Sequence, residues 1–337
     1  MKGAFFEEPH IVKIRDDLEK PKIKNDEVLV KVKYCGICGS DLESYETGAL
    51  GLAGIIFGHE FSGDIVEIGD KVKKMKIGSR VTANPNIPCL KCYWCKNNQE
   101  NLCKGLKGLG TTVNGAMAEY INVKASQIHL LPDNLSYEEG ALIEPLSVAI
   151  YAVRKSGFRL GQNAVVIGAG SIGLCTIQIL CAAGASNIIV IEPLESKQDL
   201  ALKLGANNVL TPENWLNVNK LTKKLGADHI FDCVSLPETF MNAMKYVIKG
   251  GTITIIGIHV EPFELKGLLQ LILKNIKIQG VYAYDNVEFK TAIRLLEQKK
   301  VNVNPMITKR IKLDEVPNAF KNLSKPKHND IKILVEI

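Results

Sequence analysis

Val165-Val166-Ile167-Gly168-Ala169-Gly170-Ser171-Ile172-Gly173 reads as a short apolar strand ending in a glycine turn, and the run Leu174–Ala183 after it reads as a helix. Each glycine has its own task. Gly168 permits the tight turn, Gly170 lets the backbone approach a pyrophosphate, and Gly173 lets helix and strand pack closely. The helix N-terminus, with Ile172 among the binding positions, supplies N–H groups and a partial positive charge to phosphates. Glu192 follows nineteen residues after Gly173, at the end of the next expected strand. A carboxylate there accepts hydrogen bonds from ribose hydroxyls and repels a 2′-phosphate, so it favours NAD over NADP. Lys197 can reach the same ribose. The plain alternative is a glycine-rich turn that holds no ligand.

Outward from this loop the chain alternates strand and helix. Strands are expected at Ala164–Ile167, Asn187–Ile191, Asn208–Leu210, His229–Asp232, Thr252–Ile256 and Ile276–Val281. That rhythm implies a parallel sheet covered on both faces. Before it, Ser136-Tyr137-Glu138-Glu139 has the form of a capping box and opens an apolar helix to about Ser156, interrupted at Glu144-Pro145. The first third is different: short β segments such as Val28–Tyr34, Phe61–Ile68 and Ser79–Ala83 are punctuated by glycines. After Asn286 a helix runs to about Lys300, and the closing Ile331–Ile337 is strand-like and expected to pair back with the first domain. Residues 151–284 are therefore expected to form a nucleotide domain inserted into a β-rich domain made of residues 1–150 and 285–337.

Bulk composition excludes several classes. The 337 residues are 46% apolar and 23% charged, as in ordinary globular chains. No apolar run reaches the roughly 18–20 residues that cross a bilayer, so no membrane association is expected. Met1–Phe6 runs straight into Glu7-Glu8-Pro9, which is no signal peptide, and the expected compartment is the reducing cytoplasm. The net charge of +6 comes from lysines scattered beside acids, without an aromatic-interleaved basic stripe, so nucleic acid is not an expected partner.

Four of the nine cysteines, Cys89, Cys92, Cys95 and Cys103, lie within fifteen residues. This spacing lets one loop aim four thiolates at a single tetrahedral centre, a closed structural zinc site. A disulfide cluster is the alternative, but a chain this long builds a real core without staples. Cys38, His59, Glu60 and Glu144 form a more scattered set of candidate ligands. Taken singly, each has a dull reading: a buried thiol, a core histidine, a surface acid. Glu144 is the sharpest, because it interrupts an apolar helix where an unpaired carboxylate is costly to bury.

Cys35-Gly36-Ile37-Cys38-Gly39-Ser40-Asp41, Gly58-His59-Glu60, the cysteine lobe, Glu144-Pro145 and the nucleotide fingerprint occur in the order found in zinc-dependent medium-chain dehydrogenases. The resemblance covers essentially the whole chain and is strongest to the sorbitol and polyol dehydrogenase branch, with galactitol-1-phosphate 5-dehydrogenases and butanediol dehydrogenases the most alike. It implies an α/β chain with a β-rich GroES-like catalytic domain plus a doubly wound Rossmann coenzyme domain. It implies two zinc ions and NAD, with a secondary hydroxyl of a polyol or polyol phosphate oxidised to a ketone. Butanediol and threonine dehydrogenases stay open as alternatives, and a zinc-free quinone-reductase-like or binding protein as a remote one. Cys38 and His59 then bind the catalytic zinc, with Glu60 and Glu144 completing its shell directly or through water. Ser40 matches the hydroxyl that relays the substrate proton, and Asp41 the acid that orients the zinc histidine. Many relatives have histidine two residues after that aspartate; Glu43 stands here instead, so a proton route through a histidine is not implied. Relatives of this kind also pair between subunits, which implies a homodimer or homotetramer.

Overall fold

Val165, Val166 and Ile189 are 0% exposed. Strands that hide both faces belong inside a parallel sheet flanked by helices. In the computed structural model, which describes residues 1–325 and 329–337, six parallel strands do this. Their spatial order is Asn208–Leu210, Asn187–Ile191, Asn163–Ile167, Ala227–Asp232, Val247–Ile255 and Lys277–Gly280. The order reverses beside Asn163–Ile167, which makes a doubly wound Rossmann sheet whose switch point lies at the end of that strand. The fifth strand starts earlier than the sequence suggested. Val247 already pairs with Ala227, and a register shift lies between Ala227 and His229.

The chain divides into two units. One comprises Met1–Glu144, Tyr284–Gln298 and Val303–Ile337, and the other Pro145–Ala283 with Lys299–Asn302. The parallel sheet lies in the second. In the first, Val28, Val30 and Val32 face inward and Lys31 outward, the alternation of a half-buried strand. That strand, Glu27–Gly36, is the spine of the larger sheet. Glu60–Ile68 pairs antiparallel along one edge. Tyr120–Lys124 and then Lys332–Glu336 pair antiparallel along the other. The C-terminal strand continues the sheet by pairing in parallel with Ile307–Lys312, so the last residues of the chain are built into the domain begun by the first.

The helix expected from Ser136 is two helices, Tyr137–Ala141 and Ile143–Ser156. Ser136 caps the first reciprocally: its Oγ accepts from Glu139 N at 3.1 Å and its own N–H donates to Glu139 at 2.8 Å. The break falls at Leu142 rather than at Glu144-Pro145. Pro145 sits in the first turn of the second helix, where a missing N–H leaves no bond unmade. The helix after Asp285 ends at Glu297, short of Lys300. Among the described residues no helix is long and apolar enough to cross a membrane.

Candidate active site

Phe57 and Phe61, both 0% exposed, bracket Gly58-His59-Glu60, so burying the two rings carries the polar pair inside. Cys38 is the N-cap of the helix Gly39–Thr47. Asp41 ties the two segments together. Its Oδ2 accepts the Cys38 N–H at 3.0 Å, and its Oδ1 faces His59 Nδ1 at 3.4 Å. Neither of those facing atoms has a hydrogen-bond partner otherwise.

One ligand atom each from Cys38, His59 and Glu60 lies within 4.8 Å of the others. Sulfur, imidazole and carboxylate with one position left over is the donor set of a reactive zinc. The electrostatics fit a cation as well. Burial by itself would expel the His59 proton, yet the charges of Asp41 and Cys38 outweigh it and hold the imidazolium well above its usual range. A buried ring that retains a proton this way marks a place where a metal ion would take the proton's position. Glu144 lies outside the three-residue set. It is buried, its carboxylate accepts from Tyr284 Oη–H at 2.9 Å, and burial pushes its carboxyl up to about 7 against the pull of His59. Ser40 is half-buried in the first turn after Cys38, and Glu43 accepts from the Thr47 hydroxyl at 3.3 Å one turn later.

The cysteine lobe brings all four of its sulfurs within 4.8 Å of one another. Cys92 and Cys95 sulfurs are 3.5 Å apart, and Cys103 accepts the Cys89 N–H at 3.2 Å. A tetrahedron with zinc–sulfur bonds of 2.3 Å has edges of about 3.8 Å, so the spacing suits the ion. None of the four is joined in a disulfide. The N–H of Cys95 pulls the Cys92 thiol down to about 6, while burial pushes Cys95 up to about 12.

At the nucleotide loop Gly168 has φ +87°, and a Cβ on Gly173 would stand 1.9 Å from the Gly168 carbonyl oxygen. A Cβ on Gly170 would meet nothing within 4 Å, which leaves that face of the loop open. The helix Ser171–Ala182 starts there, with Ile172 in its first turn and the Ser171 hydroxyl buried and unpartnered. Glu192 ends the neighbouring strand and is 5% exposed. Its two carboxylate oxygens accept from Ala169 N at 2.8 Å and Leu194 N at 2.9 Å. It therefore braces the glycine turn. Lys197 is half-buried on the helix Glu195–Lys203.

Residues 24–133 match the alcohol dehydrogenase GroES-like domain, and residues 171–298 match the zinc-binding dehydrogenase family. This chain belongs to the zinc-dependent medium-chain dehydrogenases. It is 35% identical to D-arabitol-phosphate dehydrogenase of Enterococcus avium, over 95% of this chain and 92% of that one. Galactitol-1-phosphate dehydrogenase of Escherichia coli superposes with a TM-score of 0.93 at 28% identity, covering 100% of both chains. A zinc-binding dehydrogenase of Sinorhizobium meliloti 1021, solved with NADP, superposes at 0.92 and 30% identity, covering 100% of this chain and 99% of that one.

Two residues beside this dehydrogenase's candidate metal centre were not singled out from its sequence. Lys332 is 2% exposed and donates to both oxygens of Glu60, at 2.7 and 2.6 Å, and to the Ile37 carbonyl at 3.0 Å. Burial opposes its charge, but Glu60, Cys38 and Glu144 together raise its ammonium above the ordinary range. A usable signal existed: a lysine at the head of the apolar run Ile333-Leu334-Val335 must find a counter-charge if the strand is central. Tyr284, 1% exposed and bonded to Glu144, had no such signal.

Proposed function

We propose that this chain is a zinc- and NAD-dependent dehydrogenase that oxidises a secondary hydroxyl of a polyol or polyol phosphate to a ketone. The observation that carries the reading is the buried meeting of Cys38, His59 and Glu60 with Asp41 behind the histidine. When bound, zinc supplies Lewis acidity that lowers the pKa of an oxygen ligand, and NAD accepts the hydride. Cys38 and His59 would hold the ion, with Glu60 and Glu144 completing its shell directly or through water. Asp41 fixes the imidazole tautomer so that Nε2 is presented to the ion. Ser40 accepts the proton of the substrate hydroxyl. Cys89, Cys92, Cys95 and Cys103 hold the structural zinc. Residues 151–284 carry the coenzyme, and residues 1–150 with 285–337 carry the chemistry.

The test is a panel: NADH formation with sorbitol, galactitol 1-phosphate, 2,3-butanediol, threonine and 2-propanol, beside zinc analysis. The expected result is turnover of a polyol or its phosphate and two zinc ions per chain. Activity confined to the butanediol or threonine wells moves the substrate class, while no NADH in any well and no zinc removes the proposal.

Glu192 supports NAD over NADP, because its carboxylate would face the extra phosphate of NADP. Replacing Glu192 by Ala is expected to raise KM for NAD about tenfold or more, since it loses a charge-assisted bond of about 1.5–3 kcal/mol. The same change narrows the NAD-to-NADP ratio of kcat/KM. An unchanged ratio refutes the assignment.

A homo-oligomer is the expected state. The helix Leu268–Leu273 exposes Leu269 at 66% and Leu273 at 69%, and the edge strand Lys277–Gly280 continues to Tyr282 at 69%. An exposed apolar edge of this kind is suited to a second copy. Light scattering should give a dimer or tetramer that Leu269→Asp with Leu273→Asp dissociates; a monomeric parent protein would end this reading.

A further inference from the structure

Leu90 holds left-handed backbone, φ +59°, between the first two cysteines of the lobe. The turn aims its N–H at the Cys95 sulfur. Glycine adopts that backbone freely, whereas a Cβ crowds the chain, so leucine brings strain together with a side chain. That side chain is 62% exposed, and Tyr93 and Leu102 of the same lobe are 68% and 43% exposed. Tyr93 stands edge-on to Trp94, with ring centroids 5.3 Å apart. Lys91, Lys96, Lys104 and Lys107 are exposed on the same stretch, and Glu100 is the one acid from Asn86 to Gly108. Bare apolar and aromatic side chains set among charges suit a protein contact better than a solvated loop.

The other unit carries a strip of opposite sign. Residues 260–269 are exposed without interruption, and Val260, Phe263 and Leu265 are each at least 40% exposed. Glu261 and Glu264 stand between them. Glu264 lies 3.6 Å from Lys266, an exposed pair that another cation can replace at little cost. Among the described residues no backbone N–H from Ile258 to Gly267 donates to another backbone group.

We propose that the cysteine lobe of one copy docks on residues 260–269 of a second copy, its apolar tip covering Val260, Phe263 and Leu265 and its lysines meeting Glu261 and Glu264. Charge complementarity selects that occupant. Position does so too, because the strip runs through Gly267 into the helix Leu268–Leu273, whose exposed leucines are offered above for subunit contact. One interface then covers helix and strip together. Each copy gives a lobe and receives one, which closes a symmetric pair without an open end. The strain at Leu90 has a use in this arrangement, since it holds the side chain out where the strip arrives.

This docking rests on the homo-oligomer reading above, and the experiment separates the two. Association of the full, zinc-loaded chain is measured by sedimentation over a dilution series. The chains compared are the parent, Leu90→Gly, Lys91→Glu with Lys104→Glu, and Glu261→Lys with Glu264→Lys. Each variant is expected to raise the dissociation constant about tenfold or more, the loss that marks a contact near the centre of an interface. The decisive arm is a mixture. Lobe-reversed and strip-reversed chains, each weakly associated alone, should regain most of the parent's affinity together, because every lobe then meets a strip of opposite charge. If the lobe-reversed chain loses its zinc, Leu90→Gly decides by the same readout, because it leaves every thiolate and charge in place. An oligomeric parent whose association the variants do not weaken overturns the docking alone, as does a mixture that stays dissociated. A monomeric parent overturns the homo-oligomer reading first.

Discussion

Replacing Cys38 by Ser is expected to lower kcat/KM for the preferred polyol by at least about 10³-fold and to cut zinc from two ions to one per chain. The reasoning is chemical. A hydroxyl at the helix N-cap is a far poorer ligand than a thiolate, and His59 with Glu60 cannot hold the ion alone when both Glu60 oxygens are also claimed by Lys332. Losing one preorganised hydrogen-bond donor at a reacting oxygen already costs about 10²–10³ in rate, and losing the Lewis acid removes more than one such interaction. NAD binding, measured by quenching or calorimetry without substrate, should change little, because Gly168–Gly173 and Glu192 belong to the other unit. If the Cys38→Ser protein keeps two zinc ions and near-parent turnover, the catalytic centre has been assigned to the wrong residues.

Replacing Cys95 by Ser should act on stability first. Cys95 is 9% exposed and lies 3.5 Å from the Cys92 sulfur, so its loss leaves three thiolates converging on a point that no longer closes. Structural zinc contributes about 10–16 kcal/mol of apparent binding energy in small zinc modules. Only part of that is expected here, since the lobe's strand pair Asn86–Ile87 with Lys107–Gly108 and the Asn101 N–H that donates to the Asp285 carboxylate also hold it in place. The expected outcome is a melting temperature lower by several degrees, on the scale of about 2–4 °C per kcal/mol for domains of 150–250 residues. Chelator sensitivity and aggregation rise, and KM for the polyol in the folded fraction stays close to the parent's. A variant that melts with the parent and keeps two zinc ions would show that the lobe holds no metal.

How much of this was legible beforehand varied with the distance along the chain between the residues involved. The nucleotide loop was fully legible, because its strand, turn and helix are contiguous and glycine is forced by backbone geometry within six residues. The cysteine lobe was legible for the same reason. The six parallel strands were found nearly to the residue, the central ones because fully buried strands read as unbroken apolar runs. The fifth began earlier, because Lys249-Gly250-Gly251 looks like a turn although its backbone can still pair. The break in the helix after Ser136 was placed two residues late: proline was read as an interruption, when it begins a new helix.

The candidate metal centre was legible only in parts. Cys38 with Asp41 and His59 with Glu60 are local strings, and their resemblance to known dehydrogenases joined them. Lys332, 272 residues away from Glu60 in sequence, and Tyr284, 140 away from Glu144, had nothing local to mark them.

Residue order alone thus determined which segments become strands, which glycine turn opens the helix Ser171–Ala182 and which short strings carry thiol, imidazole and carboxylate, because each of those outcomes is set by neighbours a few bonds away. Only the tertiary structure decided which distant charge stands against which. A carboxylate buried at Glu60 requires a cation, but strand pairing, and not sequence separation, selects Lys332 as that cation.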